Sequence, residues 1–164
     1  MAAITDSTIL TNTTDFLVDT LTAAITDPIA STRTTKVPNS TFVSVKNVGV
    51  PLLYPCITVQ ITNVQSGLPL GVQTEAYFYT ITAEIEVYSK KSVYEADRFA
   101  SLVIDAIRTY HYGASSANVN NLHTPVILSV IPFSFEQSFG AGGFEMIHKR
   151  MITVRYNYVT GGTN

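Results

Sequence analysis

The stretch EAYFYTITAEIEVYSKKSVYEADRFASLVIDAIRTYHY, residues 75–112, decides the fold. Tyr77, Tyr79, Ile81, Ala83, Ile85 and Val87 share one parity, and Phe78, Thr80, Thr82, Glu84, Glu86 and Tyr88 share the other. Successive side chains of a strand point to opposite faces, so this period of two predicts a half-buried antiparallel strand. It runs for about a dozen residues, against a usual five or six. A Ser-Lys-Lys turn leads into Ser92-Val93-Tyr94-Glu95, a capping box in which Ser92 caps and Glu95 reaches back. Ala96, Phe99, Ala100, Val103, Ile104 and Ile107 then form a helical stripe, and Gly113 is its expected stop.

Upstream, Asn12 or Thr13 is the expected cap of a first helix carrying Leu17, Leu21, Ala24 and Ile25, closed by Asp27-Pro28. Residues 1–12 read as an arm and 29–41 as a loop. Residues 41–46 alternate as a strand, as does the segment holding Ile57, Val59 and Ile61. QSGLPLGVQT, residues 65–74, reads as a hairpin connection. Downstream, 114–125 reads as loop and 126–135 as a strand, with Pro132 marking an edge or a bulge. A Gly-rich tip at 139–143 and a strand at 146–159 follow, the latter with Ile152, Val154, Tyr156 and Tyr158 on one face; 160–164 reads as a flexible tail. The order α-β-β-β-α-β-β predicts an α+β fold. It is an antiparallel sheet of four to five strands with two helices packed on one face, in a single domain spanning 1–164.

Hydrophobic residues make up 46% of the 164, enough for a packed core. Charged residues make up 13%, about half the usual share. The surface must therefore rely on Thr, Ser, Asn and Gln, and a surface so poor in charge favours association. The net charge of −2 and the lack of a basic run argue against phosphate-driven DNA binding. The N-terminus MAAITDSTIL lacks the basic and apolar regions of a signal peptide, and no run approaches the roughly 20 apolar residues of a membrane span. A soluble protein made in the cytoplasm is the expectation.

Catalytic motifs do not emerge. His111, His123 and His148 show no metal-ligand spacing, and Cys56 is the one thiol, so no metal site or cofactor is expected. Glu84 and Glu86 share a strand face, but a solvated or inter-subunit face explains them better than a catalytic carboxylate pair. GAGG at 140–143 lacks the Lys-Ser/Thr of a phosphate-binding loop. Nine Tyr and eight Phe stand without Trp. Aromatic strands can stack bases, but the strand bearing Tyr77 and Tyr79 carries no Lys or Arg.

The YPCITVQIT strand, the Gly/Pro-rich loop, the ITAEIEVYS strand, the YEADRFASLVIDAIRTY helix and the paired strands after it together form a pattern. Over roughly residues 13–159 it resembles the tail terminator, tail-completion and neck proteins of tailed bacteriophages. The resemblance implies a non-enzymatic virion subunit that assembles with itself into a hexameric ring. It further implies a ring that caps the tail tube, meets the head–tail connector and lets DNA pass without sequence-specific binding. Candidate assembly contacts are Gly67, Leu68, Pro69, Leu70, Phe78, Glu84, Glu86, Tyr88, Phe139 and Gly140. The alternative is a small ligand- or nucleic-acid-binding module using an aromatic sheet face; an enzyme is a third class.

Overall fold

The computed structural model describes residues 8–36, 41–46, 53–67, 78–113, 122–138 and 143–159, with backbone alone at 34–36, 111–113 and 124. The order is α1 (Ile9–Ala24), α2 (Ala30–Lys36), β1 (Val43–Val45), β2 (Cys56–Ser66), β3 (Phe78–Ser89), α3 (Val93–Gly113), β4 (Leu122–Ser138) and β5 (Phe144–Val159). The fold is α+β, with one five-stranded sheet in the order β1-β2-β3-β5-β4. The sheet is mixed rather than wholly antiparallel, because β1 runs parallel to β2 while every other pairing is antiparallel.

β3 sits at the centre, and its alternation sorts the two faces. Ile81, Ala83, Ile85 and Val87 are fully buried, and with Ile57, Val59, Ile152, Val154 and Tyr156 they make the floor of the core. α1 packs over β1 and β2, α3 packs over β3, β5 and β4, and the two helices touch. α1 contributes Phe16, Leu17 and Leu21; α3 contributes Ala96, Phe99, Val103 and Ile107. Ala83 of the sheet and Ala96 of the helix are both fully buried small side chains.

Three local departures from the sequence expectation have identifiable causes. α1 begins at Ile9, so residues 9–12 belong to a helix and not to an arm. Its polar first turns are held by hydroxyls bonding back along the chain: Thr11 Oγ1 to the Thr8 carbonyl at 3.2 Å and Thr14 Oγ1 to the Leu10 carbonyl at 2.8 Å. α2 replaces part of the expected loop at 29–41. Asp27 receives the Ile29 N–H at 3.0 Å and binds the Arg33 guanidinium at 2.8 Å, so one carboxylate anchors both the entry and the far turn of this short helix. Residues 122–125 belong to β4 instead of a loop.

The α3 start is half of the expected capping box. Ser92 Oγ accepts the Glu95 N–H at 3.1 Å, but the Glu95 carboxylate accepts from Ser89 Oγ at 2.5 Å. Ser89 also accepts the Lys91 N–H at 3.1 Å, so the turn between β3 and α3 is tied on both sides. Among the described residues no helix is long and apolar enough to cross a membrane. The expected tail at 160–164, and residues 68–74 and 139–142 of the two expected hairpin connections, lie outside the described residues.

Candidate assembly surface

The helices cover one face of the sheet and leave the other open. On the open face Cys56 and Thr58 of β2, Glu86 and Tyr88 of β3, and Ile147, Lys149 and Met151 of β5 lie side by side across the register. Next to them, on β4, come Ile131, Phe133 and Phe135, opposite Met151, Lys149 and Ile147. β4 is the edge strand, and over residues 130–136 both of its faces are exposed. Phe133 is 44% exposed, Phe135 40% and Ile131 39%. On the helix side of the same hairpin Val130, Met146 and Phe144 are exposed as well, because α3 does not reach that far. Most of the exposed large hydrophobics of the described chain thus gather on β4 and the adjoining end of β5. Soluble monomers rarely show contiguous apolar patches beyond a few hundred Å², and a bare apolar edge strand is a template for pairing.

β4 is edge-placed for the reason its sequence suggests. Pro132 has no N–H to give a second neighbour, so it cannot sit in a central strand without losing a ladder bond. Register shifts between His123 and Val126 and between Ile127 and Ser129 turn the strand before it reaches the apolar stretch. From Ser129 to Ser138 the ladder with β5 is unbroken.

Behind the row lies a buried polar cluster. Glu86 is 1% exposed, and its carboxylate accepts from Lys149 Nζ at 2.5 Å, Lys46 Nζ at 2.9 Å, Tyr88 Oη at 2.5 Å and Thr58 Oγ1 at 3.5 Å. Burial pushes the Glu86 pKa up, but the bonds from Lys149, Tyr88 and Lys46 outweigh it and hold the carboxyl below its ordinary value. Burial, then the hydrogen bond to Glu86, push the Tyr88 hydroxyl far up. Lys149 Nζ lies 5.4 Å from the Tyr88 ring centroid and 5.5 Å from that of Phe133, so it links the cluster to the exposed row. Tyr54, Cys56, Tyr88 and Ile147 form a small second core beside it, and Tyr54 Oη donates to Gln137 at 2.6 Å, fastening β4 to this face. Burial pushes the Cys56 thiol up to about 12, which leaves it unreactive.

A cleft of about 760 Å³ opens beside the hairpin, between Tyr54, Pro55, Lys90, Glu145, Met146 and His148. Its acids and bases are largely engaged already. Lys90 pairs with Glu145 at 3.4 Å, Glu95 is held by Ser89, and His148 Nδ1 shares a hydrogen bond with Ser134 Oγ at 3.1 Å. No group of three or more metal-ligating side chains converges among the described residues.

Several expected contacts take other places. Glu86 and Tyr88 lie on the open face but are buried there in the subunit, with Lys46 and Lys149 bonded to the Glu86 carboxylate. Glu84 is half-buried on the open face between Gln60 and Thr153. Gly67 and Phe78 meet at the end of the β2–β3 ladder, where the Gly67 N–H donates to the Phe78 carbonyl at 2.6 Å. A Cβ on Gly67 would come within 2.9 Å of the Phe78 ring, so this contact is internal. Leu68, Pro69, Leu70, Phe139 and Gly140 lie outside the described residues. The aromatic platform is reassigned too: Tyr79, Tyr156 and Tyr158 belong to the helix-covered core.

The β4 row was missed by sequence reading, although its signal is present. Val126-Ile127-Leu128 and Val130-Ile131 put apolar residues on both parities of a strand marked as an edge by Pro132. In comparisons with known proteins, no family model and no curated protein matches the chain.

Proposed function

We propose that the chain is a self-assembling structural subunit of the kind that forms a hexameric ring at the tail terminus or neck of a tailed bacteriophage. The observation that supports self-assembly is the two-sided apolar hairpin of β4 and β5, which a lone subunit exposes to water. The sparse charge of the chain points the same way, since little electrostatic repulsion opposes close packing of copies. The phage setting rests on the sequence resemblance. In this reading the subunit is non-enzymatic, joins the tail tube to the head connector, and surrounds DNA without reading its sequence.

The test is mass photometry and negative-stain imaging of the purified chain, alone and mixed with tail tubes. The expected result is closed annuli with sixfold symmetry at the tube ends in the mixture. A chain that stays monomeric at tens of micromolar and adds nothing to tubes overturns the proposal.

A further inference from the structure

We infer that β4 pairs antiparallel with β4 of a second copy about a two-fold axis through Ser134. The inference goes beyond the ring, whose head-to-tail contacts need no such axis.

The argument begins at Pro132, which lies opposite Arg150 in the β4–β5 ladder. In an antiparallel pair a residue points its N–H and C=O either both toward the partner or both away. A proline facing β5 would break the ladder, so its nitrogen faces outward. The ladder is unbroken from Ser129 to Ser138, so Ser134 and Glu136 share that parity and turn their N–H and C=O groups outward. The free edge therefore carries donors at 134, 136 and 138, and a gap at 132.

A two-fold axis at Ser134 fits this edge. Ser134 exchanges both main-chain bonds with its own copy, and Glu136 gives its N–H to the Pro132 carbonyl. The odd residues then fall in non-hydrogen-bonded pairs, where side chains come closest. Phe133 lies opposite the copy's Phe135, and Phe135 opposite its Phe133. The sequence Phe133-Ser134-Phe135 is symmetric about that axis, and Ser134, small and exposed, leaves room at the crossing. An axis at Pro132 would instead lose both central bonds. The same register brings Glu136 of the copy beside Pro132, in the row that continues to the Arg150 guanidinium.

The pairing joins the exposed Ile131, Phe133 and Phe135 of the two copies into one apolar row across the seam. An isologous pair closes on itself and covers the strand. It therefore competes with any assembly that uses the same hairpin, and pairs serve as the closed form of the free subunit.

The test is cysteine trapping in the full chain. Ser134→Cys places two thiols on an expected Cα separation of about 5.5 Å, within disulfide range. Ser138→Cys places them about 27 Å apart. Native Cys56 is buried and does not compete. Under mild oxidation Ser134→Cys is expected to give a covalent dimer in high yield and Ser138→Cys at least tenfold less. Equal trapping at both sites, or at neither, overturns the register. Without oxidant, Phe135→Lys is expected to raise the dimer dissociation constant at least tenfold in sedimentation, with the melting temperature of the monomer kept. An unchanged dimer overturns the interface. Rings that assemble while Ser134→Cys never cross-links would refute the pair and leave the ring standing. Cross-linked dimers that never bind tail tubes, even after reduction, would do the reverse.

Discussion

Glu86→Ala takes the shared acceptor out of a cluster fed by three strands and by Lys46 at the end of β1. Four groups lose a partner: Lys149, Lys46, Tyr88 and Thr58. Their fates differ. The Lys46 side chain is 34% exposed and swings into water at little cost. The Lys149 side chain, 18% exposed and stacked on two rings, moves less freely. The Tyr88 hydroxyl is buried and is left orphaned, at about 1–3 kcal/mol. Breaking a fully buried ion pair costs ~3–5 kcal/mol, but the freedom of Lys46 trims that, so we expect a loss of about 2–3 kcal/mol. For a chain of this size that lowers Tm by about 4–12 °C.

The ordering is a sharper test than the size. Urea melts should rank Glu86→Ala as most damaging, then Lys149→Met, with Lys46→Met below about 1 kcal/mol. The same variants settle the acid limb. Glu86 has a native pKa below that of the unfolded carboxyl, 4.5, so its stabilisation is complete well above that value and is lost as pH falls through the native one. Glu86→Gln should therefore flatten the fall in stability below pH 4.5 while leaving its slope near neutrality unchanged. A Lys46→Met loss equal to that of Glu86→Ala, or an unchanged acid limb in Glu86→Gln, would refute this account of the cluster.

Other outcomes follow from single contacts. Arg33 is buried, paired with Asp27 and bonded to the carbonyls of Leu53 and Pro55 at 2.8 and 2.5 Å. Arg33→Met should cost about 3 kcal/mol in chemical denaturation, because it strands Asp27 and two carbonyls together. Ser92→Ala should cost about 1 kcal/mol and Ser92→Asp close to none, measured by thermal melts, since only the side-chain acceptor for the Glu95 N–H is at stake. Cys56, with its thiol buried and its pKa pushed up to about 12, should resist maleimide at pH 7 and react at the rate of global unfolding. Labelling faster than unfolding would show an opening on the β2 side of the sheet.

The centre of the fold was legible from residues 75–112 because period and burial coincide there. Every even step from Ile81 to Val87 is buried by a helix, and the stripe from Ala96 to Ile107 faces the same sheet. What failed depended on distant partners. STRTTK carries no apolar stripe, so α2 is invisible until Asp27 and the carbonyls of Leu53 and Pro55 meet Arg33. The direction of β1 is set by how the chain returns to β2, which alternation does not encode. Glu86 reads as outward by parity and is outward by parity; Lys46 and Lys149, 40 and 63 residues away, bury it. For the assembly surface, Pro132 marked the edge, but residue type alone did not tell that the helices stop short of residues 130–136.

The place of β5 has a consequence for synthesis. It is translated after every other described element, yet in the sheet it lies between β3 and β4. Until it leaves the ribosome, β3 lacks one neighbour and β4 lacks any, while α1, α3 and β2 can already gather. The nascent chain must hold an unpaired strand, apolar on both sides, for the roughly 1–4 s that some 20 residues take to be made. A growing subunit on a crowded polysome thus passes through its stickiest state just before β5 emerges. Its solubility in a cell is then set by the speed at which β5 is translated as much as by the stability of the finished fold.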